Sequence, residues 1–304
     1  MTHLQLLNAL LALRFKQPGW PTLLAQFAYI PYGIGVGFEL PDGSLVNPDF
    51  LCASTIQKNA ILFEVKGGAS FDGDQLNRML KVTAEVLRDY AFLSIPDAQA
   101  FKVSTVILCN PEQLESFTEQ AGTRPVTLLA FDGRRFLIEG APLADFELQA
   151  ALLSATVTRP VSLGIIPYDR ESSLGEIARN VLPEIVATLL QSAGAVSPEG
   201  LLRKTHALVY DAMAPTGAKS ERAEILNRIT EVLKEAAANE LKDWLERAGQ
   251  QRVWRFKKDL GIDPTTRTRD LKNLQTAAKE LVERLGGQKG IQLLLFEDPN
   301  EPTT

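Results

Sequence analysis

The chain has 304 residues, 45% of them hydrophobic and 23% charged, with a formal net charge of −5. These values are ordinary for a globular protein, and the length allows two domains that each bury a core. The acidic balance argues against a protein that coats DNA, and the two cysteines exclude a four-cysteine iron–sulfur cluster.

No apolar stretch reaches membrane-spanning length, and Met1 to Leu13 has neither a basic start nor a small-residue cleavage site. A soluble, cytoplasmic protein without a membrane partner or a signal peptide is expected. Cys52 and Cys109 lie in apolar runs and read as buried thiols. His3 and His206 are too few and too far apart for a histidine metal site. Charge is uneven: residues 1–150 hold 11 Lys/Arg against 16 Asp/Glu, whereas residues 151–304 hold 21 against 21. The second half is therefore the better suited to phosphates.

In chain order, Leu4–Phe15 or Leu23–Ala28 offers a first helix. Ile34–Leu40, Leu45–Ser54 and Ala60–Lys66 follow as strands rich in Leu, Ile, Val and Phe. Asp74–Tyr90 is a helix, with Leu76, Met79, Leu80, Val82, Val86, Leu87 and Tyr90 at near-helical spacing, and Asp72 and Asp74 are acids at its start. Val103–Cys109 is a continuous apolar run, the pattern of a buried parallel strand.

Charges inside two of these strands need a reason, because burying an unpaired charge is costly. Asp49 stands in Leu45-Val46-Asn47-Pro48-Asp49-Phe50-Leu51, and Glu64 and Lys66 in Ile61-Leu62-Phe63-Glu64-Val65-Lys66. A hairpin centred near Gln57 brings Asp49 opposite the 62–66 stretch. Alternation then puts Glu64 and Lys66 on one face and Val65 on the other. Two carboxylates over one site are hard oxygen ligands for Mg²⁺ or Mn²⁺, and a lysine beside them can orient a water or the phosphate it attacks.

Over roughly the first 110 residues this pattern resembles the PD-(D/E)XK nuclease superfamily, the restriction-endonuclease-like phosphodiesterases. The resemblance implies an α/β fold with an αβββαβ core and a mixed central sheet. It implies Asp49 and Glu64 as metal ligands together with the Val65 carbonyl, and Lys66 as the catalytic lysine. Gln75 matches a glutamine that some relatives place after the lysine, and Arg78, one turn on, would meet a phosphate. Many members carry a further acid on the first helix, but residues 1–38 contain no Asp or Glu. Either one metal suffices, or Gln26 or Glu39 takes that place.

A linker-like stretch, Thr156–Tyr168, separates a first domain (1–155) from a second (156–304), mainly helical and open to a winged-helix reading. There, 171–191 is amphipathic with a break or kink expected at Gly175 and Pro183. Ser197-Pro198-Glu199 starts a helix. Residues 220–247 make one long helix, 252–258 a short strand, 268–285 a last helix and 291–296 a strand. Arg252, Trp254, Arg255, Lys257 and Lys258 interleave base and aromatic, a pattern suited to gripping nucleic acid; the alternative is an edge strand with Trp254 in the core. The expected function is metal-dependent hydrolysis of DNA by an endonuclease in restriction, phage defence, repair or transposition. RNA, a homodimer, a subunit activated by a partner protein bound through the second half, and a non-catalytic nucleic-acid-binding protein on a degenerate nuclease fold stay open.

Overall fold

A computed structural model of the chain describes all residues except 70–71, 92, 161–164, 191–193, 214–220, 250–251, 258–260, 262 and 287–304, and only the backbone of 189–190. The chain forms two compact units, Met1–Ile166 with Asp211–Arg222, and Pro167–Tyr210 with Ala223–Thr304. The fold is mixed α/β.

The first unit begins with α1 (His3–Ala12) and α2 (Leu23–Gln26). Thr2 and Gln5 close a reciprocal capping box on α1, satisfying two backbone donors that the first turn leaves free. Next come β1 (Ile30–Ile34), β2 (Phe38–Glu39), β3 (Leu45–Val46), β4 (Phe50–Ser54) and β5 (Asn59–Lys66). They are followed by α3 (Gly73–Leu80), α4 (Ala84–Asp89), β6 (Lys102–Cys109), α5 (Leu114–Ala121), β7 (Thr127–Phe131), β8 (Phe136–Gly140) and α6 (Phe146–Ser154). Six strands form one mixed sheet in the order β1-β4-β5-β6-β7-β8. β5, β6 and β7 are mutually parallel, and the flanking pairings are antiparallel.

Alternation along β5 decides what lies on each face. Ala60 and Leu62, with Leu51 and Ala53 of β4, pack against Met79 of α3 and Leu87 of α4. On the same face Ile107 and Leu128 meet Phe117 of α5 and Leu76 of α3. Glu64 and Lys66 fall in this even-numbered set, beside α3.

Three expected elements differ, each for a backbone reason. The strand expected at Ile34–Leu40 is divided, because Gly35 adopts a left-handed φ of 59° and turns the chain between β1 and β2. Leu45–Ser54 splits into β3 and β4 around Pro48, which has no N–H to give a ladder. The helix expected over Asp74–Tyr90 breaks, and the Thr83 hydroxyl accepts the Val86 N–H at 3.3 Å to restart it as α4.

Beyond Pro167 the chain adds α7 (Leu174–Leu190), β9 (Ala195–Val196), α8 (Pro198–Thr205), α9 (Glu221–Ala238), β10 (Leu245–Arg247), β11 (Trp254–Phe256) and α10 (Pro264–Arg284). The three strands form an antiparallel sheet in the order β10-β11-β9. α7 runs unbroken through Pro183. A proline there costs about 3 kcal/mol, but five buried side chains (Ile177, Val181, Leu182, Ile185 and Val186) return about 1.5–3 kcal/mol each. The expected helix over 220–247 ends at Ala238, where the Asn239 amide donates to the Glu235 carbonyl at 3.0 Å, and Leu245–Arg247 pair as β10 instead. The strand expected at 291–296 lies outside the described residues. His206 is fully buried, its Nε2 donating to the Tyr168 carbonyl at 2.9 Å and its Nδ1 lying 3.0 Å from the Thr205 hydroxyl.

Candidate active site

The β4–β5 ladder runs from Ser54↔Asn59 to Phe50↔Phe63 and stops there. One further step in this register sets Asp49 opposite Glu64. β5 continues to Lys66, held on its other side by β6 through Lys66↔Cys109. The last turn of β5 therefore has one free edge, opened by Pro48. Asp49 fills it: its Oδ2 accepts the Val65 N–H at 2.7 Å. The N–H and C=O of a strand residue point to the same side, so the Val65 carbonyl faces the same gap.

Glu64 is 9% exposed. Lys66 Nζ donates to its Oε1 at 2.8 Å, whereas Oε2 is buried with no hydrogen-bond partner. Burial, and then the Asp49 charge, push the Glu64 carboxyl up to about 7. Lys66 and Gln75 ease that shift without cancelling it. Burial works against the Lys66 charge, but Glu64, Asp49 and Asp72 outweigh it and hold the ammonium above its ordinary pKa. Lys66 is therefore charged at neutral pH.

The start of α3 builds the next wall. Asp72 caps it by accepting the N–H groups of Asp74 and Gln75 at 2.8 and 3.2 Å. This fixes Gln75, whose Nε2 donates to the Asn47 carbonyl at 3.0 Å and whose Oε1 accepts from Arg78 at 3.1 Å. Arg78 also lies 3.8 Å from Asp72. Its Nε, like Asn47 Oδ1, is buried without a partner.

The first turn of α1 supplies a residue that sequence reasoning set aside. His3 Nε2 lies 3.5 Å from Asp49 Oδ2. Gly67 makes room for it, since a Cβ there would stand 2.4 Å from the His3 backbone nitrogen. Asn110 holds the same turn by donating to the Met1 carbonyl at 3.0 Å. Gln26 and Glu39 are both exposed, and neither makes a bond to this cluster among the described residues. No local signal marks His3, because it meets Asp49 only through the fold.

Asp49, Glu64, Val65, Lys66, Gln75 and Arg78 are thus gathered at one end of β5. Among the described residues no three His, Cys, Asp or Glu side chains group around a metal position. The donor set is two carboxylates and one carbonyl, hard oxygens that suit Mg²⁺ or Mn²⁺ with water completing the shell. Glu64 Oε2, desolvated and unpartnered, is the atom such a cation would satisfy.

Of the two arrangements open for the basic stretch after α9, the structure has Trp254 in the core, on the central strand of its sheet rather than an edge. Trp254 is 1% exposed, so its ring has no free face on which a base could stack. The Arg252 guanidinium donates to Asn227 at 3.2 Å and that of Arg255 to Glu246 at 2.5 Å. Lys257 is exposed, and Lys258 lies outside the described residues.

No curated protein and no solved structure matches this chain. A family model described as the MJECL32 domain matches residues 2–108, a span from the cap of α1 into β6 that takes in His3, Asp49, Glu64, Lys66 and Gln75.

Proposed function

We propose that the protein is a Mg²⁺- or Mn²⁺-dependent nuclease that hydrolyses phosphodiester bonds in DNA. The observation that carries this reading is the Glu64 carboxylate, buried beside Asp49 with one oxygen unpartnered and Lys66 on the other. A structural ion pair would need neither the second acid nor the empty lone pairs. The order α1, β1-β4-β5, α3–α4, β6 supports a restriction-endonuclease-like core, with Asp49 where β4 begins and Glu64 near the end of β5.

A divalent cation, when bound, supplies Lewis acidity and a water of lowered pKa. Asp49, Glu64 and the Val65 carbonyl would hold it. Lys66, cationic and hydrogen-bonded to Glu64, would orient the attacking water and balance charge that builds on the phosphate. Gln75 fixes the Asn47 carbonyl and the Arg78 guanidinium, which is placed to meet a neighbouring phosphate. In the second unit, the order α7-β9-α8-α9-β10-β11, with β11 central, supports a winged-helix module by fold-level analogy.

The test is cleavage of plasmid, linear duplex and single strands with Mg²⁺, Mn²⁺ or EDTA. Metal-dependent cleavage by the wild type is expected. Lys66→Ala should abolish it while leaving DNA binding intact. Absence of cleavage on every substrate, or cleavage that survives EDTA, would overturn the proposal.

A further inference from the structure

We infer that the outward face of α10 is a docking surface for a nucleic-acid backbone, made by Arg269, Lys272 and Lys279 with Thr265, Thr268 and Thr276. The helix buries Leu274, Ala278, Leu281 and Val282. At 3.6 residues per turn these share one sector, and Arg269, Lys272, Thr276 and Lys279, spaced three or four apart, fall on the opposite one. All four are exposed.

Several other cations beyond Pro167 have acidic partners: Arg255 meets Glu246, Arg284 meets Glu235 and Glu240, and Lys204 meets Glu184. The three cations of the stripe form no ion pair among the described residues. Between Pro264 and Lys279 the only acid is Asp270, and its carboxylate accepts the Gly261 N–H at 3.1 Å. The cations therefore present a positive line about 15 Å long, which ends at the exposed Glu280.

The neighbouring side chains indicate what it fits. Thr265, Thr268, Asn273, Gln275 and Thr276 are exposed hydroxyls and amides, residue types that contact phosphate and sugar. The stripe carries no aromatic, Leu or Met, so it lacks the apolar wedge of a membrane-surface helix and the anchors of a protein interface. A regular polyanion is the complementary partner. In the winged-helix reading the groove-facing element is α9, but its exposed face includes Glu231 with Glu224 and Glu235 half-exposed beside Lys234. Phosphate contact therefore falls to α10. The inference deepens the proposed function by naming what holds the substrate, and it does not require Asp49 and Glu64 to be catalytic.

The experiment measures binding of the full chain to a fluorescent duplex in EDTA across a series of KCl concentrations. Replacing Arg269, Lys272 and Lys279 together by Ala should lower the slope of log affinity against log salt by about 2.7, or about 0.9 per lost phosphate contact. Affinity at about 0.1 M salt should fall by up to about 500-fold. A control with the same charge change, Lys16→Ala, Arg88→Ala and Arg134→Ala, should keep the wild-type slope. An unchanged slope in the stripe variant, an equal drop in the control, or wild-type binding to anionic phosphatidylserine vesicles but not to duplex would each overturn the inference. Loss of cleavage in Asp49→Asn with the slope retained would leave it standing, so the two readings fail separately.

Discussion

Glu64→Gln is expected to stabilise the metal-free protein at alkaline pH and to leave it nearly unchanged at pH 5. The amide keeps the shape and a carbonyl acceptor for Lys66, but removes a carboxylate that burial and Asp49 have pushed up to about 7 from an ordinary 4.5. A folded-state pKa raised in this way means that the native protein holds a proton the unfolded chain has released. Stability therefore falls as pH rises from about 4.5 through 7. At 1.36 kcal/mol per unit the charged form costs about 3 kcal/mol by pH 8 and under about 1 kcal/mol at pH 5. For a unit of this size about 3 kcal/mol corresponds to roughly 6–12 °C in Tm. Thermal melts of wild type and variant in EDTA at the two pH values measure it directly. In Mg²⁺ the order should shorten or reverse, because only the wild type gains from binding. Coincident melts at both pH values would remove the desolvated carboxylate from the argument, and the metal site with it.

Three further outcomes are expected. Asp49→Asn keeps an acceptor for the Val65 N–H and so should fold, yet show no Mg²⁺-induced rise in Tm; a wild-type rise would exclude Asp49 as a ligand. Gly67→Ala drives a methyl against the His3 backbone and should lower stability by about 1–3 kcal/mol, with loss of the His3–Asp49 contact visible as an altered His3 imidazole NMR signal. His206, lowered by burial to about 4, contributes stability that is present above pH 6.5 and fades towards pH 4, by about 3 kcal/mol. His206→Gln should flatten the stability–pH curve in that window, and an unaltered curve would contradict the burial argument.

The Asp49–Glu64 juxtaposition was legible because hairpin parity depends only on where the turn lies, and the polar run from Ser54 to Asn59 left little choice. The Asp72 cap was legible for a similar local reason, whereas Gln75 was singled out only through the family resemblance. Chain breaks made by backbone conformation were harder to read. Gly35 in a left-handed turn and Thr83 as an internal cap sit inside apolar runs that continue in sequence, so periodicity carried through them. The same blindness extended the helix after Ser220 through Leu241 and Trp244, which are indeed buried but by another route. In α10 the Leu spacing announced a helix, but the character of its outer face lay in which cations stay unpaired, Arg269, Lys272 and Lys279, and pairing is decided by the fold. His3 was illegible for a different reason, since its partner is distant in sequence and only the fold supplies Asp49.

The path of the chain has a practical consequence for isolating the unit that carries Asp49 and Glu64. The first unit is assembled from Met1–Ile166 and Asp211–Arg222, so the polypeptide crosses between units three times. A fragment ending at Ile166 keeps every carboxylate of the cluster but loses Met213, which bridges to Ile34 at the end of β1. It also loses Glu221, whose side chain closes over Gly35. β1 is an outer strand of the six-stranded sheet, and shortening its cover leaves backbone groups ready to template another chain. Such a fragment should aggregate where the intact protein does not. By the same logic no single cut separates the two units, because each is built from two stretches of the chain.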